Sequence, residues 1–218
     1  MTRLTNQAIG NLAGARFGTP PDYSQFATDG SLIAYGDATY FRDELQSLIA
    51  SRIESPASDF ALNAAEGSVT AKISARYPTD YVTMNLQLNH DWLPGTTIFP
   101  HLHWWQTTAN TPHWVLGYRW QRQGVAKVTD WTPDAWNTNV FTYTAGTLSQ
   151  ITRFPGITPA AGTFGQVSDI LQLRLYRDYL NASTLFEGND PVNASQDIVN
   201  LDVHLEVDRQ GSRQEYVR

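Results

Sequence analysis

The chain has no cysteine among its 218 residues, and this absence excludes disulfide bonds, thiolate catalysis and cysteine-ligated zinc. It also has no apolar run near the roughly 18 residues that a membrane-spanning helix requires. The N-terminal sequence MTRLTNQAIG lacks the apolar core of a signal peptide. We therefore expect a protein that is made and assembled in the cytoplasm and has no membrane partner.

Charged residues are scarce, at 17% of the chain, and their formal sum is −6. A nucleic-acid surface draws its affinity chiefly from Lys and Arg side chains that neutralise phosphates, so this balance predicts no nucleic-acid partner. Aromatic residues make up 12% of the chain. A surface poor in charge and rich in aromatic and amide groups is typical of close contact with other proteins. A large aromatic core is an alternative explanation for part of this composition.

The length predicts one all-β domain, because sandwiches and barrels often reach about 200–250 residues without dividing. A chain of this size can bury roughly 70% of the surface that its unfolded form exposes. Folding is therefore expected to need neither a metal nor a disulfide.

The stretch Tyr81–Trp120 carries the strongest strand pattern. The segment YVTMNLQLNH alternates apolar and polar residues, and TIFPHLHWW and HWVLGYRW follow it after short polar connections. Successive side chains of a strand point to opposite faces, so alternation of this kind indicates half-buried strands. We interpret the stretch as the core of a β-sandwich.

Further strands are predicted on the same grounds at 68–75, 125–131, 139–143, 170–177 and 199–207. In the last of these, Val199, Leu201 and Val203 begin an apolar face, and the intervening polar residues form the opposite face. About eight strands with long loops and almost no helix indicate a jelly roll or a related double-sheet sandwich.

Two segments near the N-terminus differ from this pattern. Over residues 38–54, Phe41, Leu45 and Leu48 recur at helical spacing, which predicts one short helix. Residues 1–36 are rich in Gly, Ala, Thr and Pro, and they are predicted to form an extended N-terminal arm that covers the sandwich or reaches a neighbouring subunit. Residues 37–218 then form the single sandwich domain.

His101 and His103 are the clearest candidates for metal ligands. Two histidines at positions i and i+2 of a strand face the same way and can bind one ion, as in cupin jelly rolls. Cupins add a Glu a few residues later and a second His from a later strand, whereas WWQTTANTPH follows here without a carboxylate. His113 and His204 can contribute only if the fold aligns them. The alternative is that these histidines form hydrogen bonds within an aromatic sheet surface, and we predict no metal and no cofactor.

The sequence signal for a catalytic site is weaker than the signal for a metal site. We predict that the protein is not an enzyme. Alternate polar residues on one strand face lie ~6.5–7 Å apart, a spacing that paired glycosidase carboxylates can use. The residues that follow this pattern are Asp202, His204, Glu206 and Asp208. Such a ladder is also typical of a solvated or subunit-facing strand. His90, Asp91 and His204 suggest a Ser-His-Asp triad, but no serine of the chain lies in a G-x-S-x-G elbow. Aromatic side chains near a polar strand face can stack on sugars, so a carbohydrate-binding module is an alternative function.

The segment NLQLNHDWLPGTTIFPHLHW resembles the pattern Q-x-x-H-x-W/Y-x-x-G-(5)-H-x-H-W of a family of tailed-bacteriophage virion proteins. The segments WVLGYRWQRQG, FTYTAGTLSQI, RLYRD and DVHLEVDRQGSRQEYVR are similar to that family in the same order. The resemblance covers about residues 66–218. It implies a virion component with a β-sandwich fold, and it brings no catalytic residues.

Taken together, these features predict a structural protein of the virion, most simply a capsid decoration (cement) protein that stabilises the outer shell. Its expected partners are the major capsid protein or other virion proteins, and we expect a homo-oligomer, with a trimer favoured. The negative charge favours the outside of the shell, because the inner face meets packaged DNA. A tail or head–tail connector component, a carbohydrate-binding adhesin module and a cupin-like metalloenzyme are the alternatives.

Overall fold

The structure is a computed structural model, and it describes residues 14–28, 31–47, 52–54, 60–63, 68–72, 77–105, 112–122, 124–136, 150–160, 164, 168–186, 188–192 and 195–210. In these ranges the chain is built of β-strands and one 3₁₀ turn at Gly36–Ala38. The strands are β1 Arg16–Thr19, β2 Asp22–Phe26, β3 Leu32–Tyr35, β4 Tyr40–Ser47, β5 Arg52–Glu54, β6 Phe60–Asn63, β7 Ser68–Ala71, β8 Tyr81–Gln87, β9 Phe99–Trp105, β10 Trp114–Gln121, β11 Thr132–Trp136, β12 Gln150–Arg153, β13 Ile170–Arg177, β14 Gln196–Val207 and β15 Arg209–Gln210. Across these ranges, no helix is long and apolar enough to cross a membrane.

Two antiparallel sheets form the body of the protein. One has the strand order β11-β10-β13-β8-β5, and the other has the order β12-β9-β14-β7-β6 with β4 also paired to β14. Side chains of both sheets belong to one apolar core, to which β8, β10 and β13 contribute from the first sheet and β7, β9 and β14 from the second. The prediction of an all-β, sandwich-like fold is confirmed.

The contact between Trp104 of β9 and Trp114 of β10 joins the two sheets. Both side chains are fully buried, and their rings meet edge to face with centroids 6.0 Å apart. The indole Nε1 of Trp104 donates a hydrogen bond to Thr152 Oγ1 at 2.9 Å, so the strand beside β9 is joined to the same contact. Aromatic pairs of this geometry are favourable beyond the area that they bury.

Most predicted strand faces are correct, and two details are wrong. The alternating apolar residues of β8 and β13 are buried, and so are those of β10 except Tyr118, which is partly buried. Val199, expected on the core face of β14, is 48% exposed, because the register with β9 shifts between Ile198 and Asn200 and reverses the alternation there. The predicted strand at 125–131 is loop, and β11 begins at Thr132. The predicted strand at 139–143 lies outside the described residues.

The predicted helix at 38–54 is wrong, because the described residues of this segment form β4 and β5. β14 extends past the end of β7, and β4 pairs with that free length from Tyr40↔Val207 to Ser47↔Asn200. An unpaired strand edge leaves backbone N–H and C=O groups without partners, so this tertiary pairing outweighs a local helical pattern.

Residues 14–28 and 31–36, part of the predicted arm, are extended but paired. β1, β2 and β3 form an antiparallel meander, and β3 pairs with β15, which follows β14 after Asp208. Asp37 N–H donates a hydrogen bond to Asp22 Oδ1 at 2.8 Å, which closes the meander. Sequence analysis did not foresee this pairing, since neither the strands nor their C-terminal partner has a strong apolar pattern.

A buried ion pair holds the loop after β13 against the sandwich. The side chains of Arg177 and Asp190 are fully buried, and Arg177 Nε donates to Asp190 Oδ2 at 2.9 Å. The same carboxylate accepts hydrogen bonds from the backbone N–H groups of His113 and Val192 at 3.0 and 2.7 Å. Asp190 therefore connects the start of β10, the end of β13 and the returning loop.

We expect Asp190→Asn to lower the free energy of unfolding by about 3–5 kcal/mol, because it removes a negative charge that pairs with the buried Arg177 guanidinium. Urea denaturation followed by tryptophan fluorescence measures this change. The matched control is Asp130→Asn at an exposed position, which should stay within about 0.5 kcal/mol of the wild type. Equal stabilities of the two variants would contradict a structural role for the pair.

His113 packs in the same region. Its ring stacks on Phe186 with centroids 4.0 Å apart and planes 5° from parallel. Burial lowers the pKa of His113 below its ordinary value and outweighs the opposing effect of the nearby Asp190 and Asp178 carboxylates. The folded protein therefore favours the neutral imidazole.

This shift predicts a loss of stability in mild acid. An unfolded His titrates near pH 6.5, so below about that pH the unfolded chain binds a proton that the folded chain resists. Stability should fall as the pH drops through this range, and His113→Gln should lose less stability than the wild type between about pH 7.5 and about pH 5.5. Urea midpoints at both pH values, measured on both proteins, test this. An identical pH dependence would show that His113 does not contribute.

Candidate metal-binding site

His101 and His103 lie on the face of β9 that points away from the core. Side chains along a strand alternate between its two faces. Leu102 lies between the two histidines and Trp104 follows them, and both are buried inside the sandwich, so the histidines point outward. The two imidazole rings lie side by side with centroids 5.0 Å apart. The sequence prediction that both histidines share one face is therefore correct.

A carboxylate reaches this pair from the neighbouring strand. Asp202 of β14 is opposite His101 in the register of β9 and β14. Asp202 Oδ1 lies 2.8 Å from His101 Nε2 and 3.4 Å from His103 Nε2. One ligand atom from each of the three residues can be chosen so that all lie within 4.8 Å of one another. A carboxylate was expected only in the residues that follow His103, and that reasoning fails because the acidic residue comes from a strand far along the sequence.

Asp202 is buried without a hydrogen bond to the oxygen that faces the histidines. The residue is 4% exposed. The two imidazole nitrogens are at ion-pair distances, yet no hydrogen bond of acceptable geometry reaches Oδ1 from the described part of the chain. The short distance alone does not make a hydrogen bond, because a hydrogen bond also requires the N–H to point at the acceptor. A buried carboxylate oxygen in this condition favours a cation.

His204, next on the same face of β14, extends the cluster. Its ring meets that of His101 edge to face with centroids 4.4 Å apart. Its Nε2 lies 2.7 Å from Asp43 Oδ1 on β4, and both of these side chains are largely accessible. His204 is thus oriented by an exposed carboxylate and does not join the group formed by His101, His103 and Asp202.

A cleft of about 530 Å³ borders the cluster. Its walls include His101, His204 and Arg153, together with the apolar side chains of Phe99 and Ile151. Phe99 is 42% exposed and Ile151 48%, and Phe99 also contacts Phe41 of β4 edge to face at 6.0 Å. The histidine cluster therefore lies beside an accessible depression with an apolar rim.

The other residues considered in the sequence have separate structural roles. His113 lies on β10's side of the sandwich, stacked on Phe186. Glu206 accepts a hydrogen bond from Thr39 Oγ1 at 3.0 Å. Asp91 forms an ion pair with Arg42, which also contacts Glu44. The polar ladder of β14 is therefore partly a set of contacts with β4 and the segment before it.

No protein-family model and no curated protein matches the chain. Among solved structures, it is similar to dimeric latent PorU from Porphyromonas gingivalis, with a TM-score of 0.32 and 10% identity, over 78% of this chain and 13% of that one. It is also similar to the mosquito-larvicidal Cry4Aa toxin from Bacillus thuringiensis, with a TM-score of 0.36 and 11% identity, over 88% of this chain and 31% of the toxin. The chain thus spans less than a third of the length of either protein.

Proposed function

We propose that the protein is a structural component of a tailed-bacteriophage virion, specifically a decoration protein on the outside of the capsid shell. The sequence likeness in Tyr81–Trp120 and in the C-terminal segments suggests the class of protein. The observation that carries the proposal is an exposed apolar patch on the outer face of the sheet β12-β9-β14, with β4 at its edge. We call Phe41, Phe99 and Ile151 the outer patch.

The outer patch has the properties of a docking surface. Phe41 is 58% exposed, and Phe99 and Ile151 are each more than two-fifths exposed. Phe41 contacts Phe99, and Phe99 and Ile151 line the same cleft, so the three side chains are contiguous. Clustered exposed apolar residues mark interaction sites, whereas scattered ones are ordinary. In this proposal the patch packs on the major capsid protein.

The strand order supports a jelly roll for the sandwich. Strands β7 to β14 alternate between the sheets except at the β10–β11 hairpin, in the orders β7-β14-β9-β12 and β8-β13-β10-β11. Two Greek keys wound together give this arrangement, which recurs in viral capsid and lectin domains. A fold of this kind hosts several functions, so it supports the proposal without deciding it.

The charge and symmetry of a shell complete the proposal. A net charge of −6 suits the outer face of a particle whose interior holds DNA.

A trimer is favoured because capsid shells offer three-fold axes to closed oligomers. Light scattering on the purified chain tests this, and a monomer that persists in the presence of empty shells counts against it.

The copy number in the particle separates the shell from the tail. We expect a molar ratio to the major capsid protein between about one-third and one, because a decoration protein occupies symmetry-equivalent sites over the whole shell. Quantitative mass spectrometry of purified virions measures this ratio. A ratio of a few per cent would move the protein to the tail or the connector, and absence from the particle would reject a virion role.

We expect Phe99→Ser to weaken attachment to shells that lack the protein by about 30-fold, since the central aromatic residues of an interface each contribute roughly 2 kcal/mol or more. Co-sedimentation over a range of protein concentrations gives the affinity. The control is Leu180→Ser, which removes a side chain that is 51% exposed in the loop after β13. Equal affinities of the two variants would place the docking surface elsewhere.

A further inference from the structure

We propose that His101, His103 and Asp202 bind one divalent transition-metal ion, with zinc as the reference ion, on the outer face of the sheet β12-β9-β14. The site does not depend on the virion role proposed above. It is argued from the geometry of three side chains on two paired strands and from the unmet hydrogen-bonding capacity of one of them.

Two of the distances between ligand atoms are close to those within a single coordination sphere. Zinc lies about 2.0–2.1 Å from imidazole nitrogen and about 2.0–2.2 Å from carboxylate oxygen, so two neighbouring ligands lie roughly 3.0–3.4 Å apart for angles between 90° and tetrahedral. The Oδ1 of Asp202 lies 2.8 and 3.4 Å from the Nε2 atoms of His101 and His103. Ligand atoms of the three residues all lie within 4.8 Å of one another.

The state of Asp202 distinguishes a metal site from a simple ion pair. In an ion pair, a ring N–H would point at the carboxylate oxygen, but Oδ1 accepts no such hydrogen bond from the described residues. The residue is 4% exposed, so bulk water does not solvate the carboxylate instead. A buried charge of this kind is retained where it is paired or coordinates a metal.

The donor set selects the class of ion. Two imidazoles and one carboxylate suit zinc and the neighbouring first-row divalent ions, whereas calcium and magnesium prefer a shell of oxygen ligands. Three protein ligands leave at least one coordination position for water. His101 lines the adjoining cleft, which gives an ion and its water a path to the cluster.

Backbone pairing makes the site rigid. β9 lies between β12 and β14, and β14 lies between β9 and β4 where Asp202 is located. Neither ligand strand is therefore a free edge at this point. Ligands on paired strands are held in place before the ion arrives, which lowers the ordering cost of binding.

The experiment uses the full, tag-free chain after dialysis against EDTA, with Zn²⁺ and Co²⁺ as probes. We expect one ion per chain by calorimetry, and a visible Co²⁺ spectrum that reports nitrogen and oxygen ligands. At a zinc concentration ~100-fold above the dissociation constant, the melting temperature should rise by about 5–10 °C, because the ion binds only the folded chain.

The decisive variants are His103→Gln and Asp202→Asn. His103 is the more accessible of the two histidines, with 30% of its side chain exposed, so its replacement is compatible with folding, which circular dichroism checks. We expect each variant to bind zinc more than about 100-fold more weakly, since even changes to the groups around metal ligands cost about 10–100-fold. His113→Gln removes a histidine on the other sheet and should bind as the wild type does.

Three outcomes would overturn the proposal. The wild type binds no stoichiometric ion, or folded His103→Gln binds as tightly as the wild type, or His113→Gln loses as much affinity as His103→Gln. The first outcome would leave the cluster as a metal-free ion pair, and the others would place the bound ion elsewhere. All these measurements use the purified chain and no virions, so failure of the virion proposal would not affect the metal-site proposal.

Discussion

The register between β9 and β14 is the constraint on which the rest of the structure depends. Side chains alternate across a strand, so a shift of one residue would exchange the core face and the outer face along the whole pair. Leu102 and Trp104 on one strand and Leu201 and Val203 on the other are fully buried, which fixes the alignment through apolar packing. The same alignment brings Asp202 opposite His101. The core thus determines the geometry of a polar cluster on the opposite face of the sheet.

The register between β9 and β14 shifts between Ile198 and Asn200. This shift lets β14 pair along its other edge with two successive strands, β7 and β4. Before the shift, β14 pairs with β7, and after it β14 pairs with β4. The extra residue, Val199, is exposed, and the apolar residues on either side of it remain inside. A uniform alternation through Val199 would have turned either Ile198 or Leu201 toward solvent. The irregularity therefore preserves the core on both sides of a change of neighbour.

Sequence analysis predicted the parts of the fold in which each strand has one buried face. β13 is an example: its buried residues Leu171, Leu173 and Leu175 alternate with polar residues because one face of the strand packs on the core. It failed at β4, where the pattern of Phe41 and Leu45 suits a helix as well as a strand. The deciding factor was the open edge of β14, about 150 residues later in the sequence, which no local pattern contains.

The candidate metal site was likewise predictable from the sequence only in part. The spacing of His101 and His103 is visible in the sequence, because it needs only the alternation of one strand. Asp202 is visible only as a polar residue in the last strand, and its pairing with His101 depends on which strands are neighbours. The available signal was that His101 and His103 share one face of a predicted strand and that Asp202 lies on the polar face of another, since two such faces in one sheet can meet. Strand order cannot be obtained from the alternation itself.

The cluster and the outer patch occupy one surface, and this has a physical consequence for both proposals. Phe99, Ile151 and His101 line the same cleft, so a partner that packs on the apolar rim also restricts the access of water to the cluster. Exclusion of water lowers the local dielectric and strengthens the attraction between a bound cation and the Asp202 carboxylate. A docked partner would therefore strengthen the binding of an ion, and a bound ion would in turn neutralise a carboxylate that is otherwise costly to bury beneath an apolar contact. The effects are reciprocal because both act on the free energy of one shared surface.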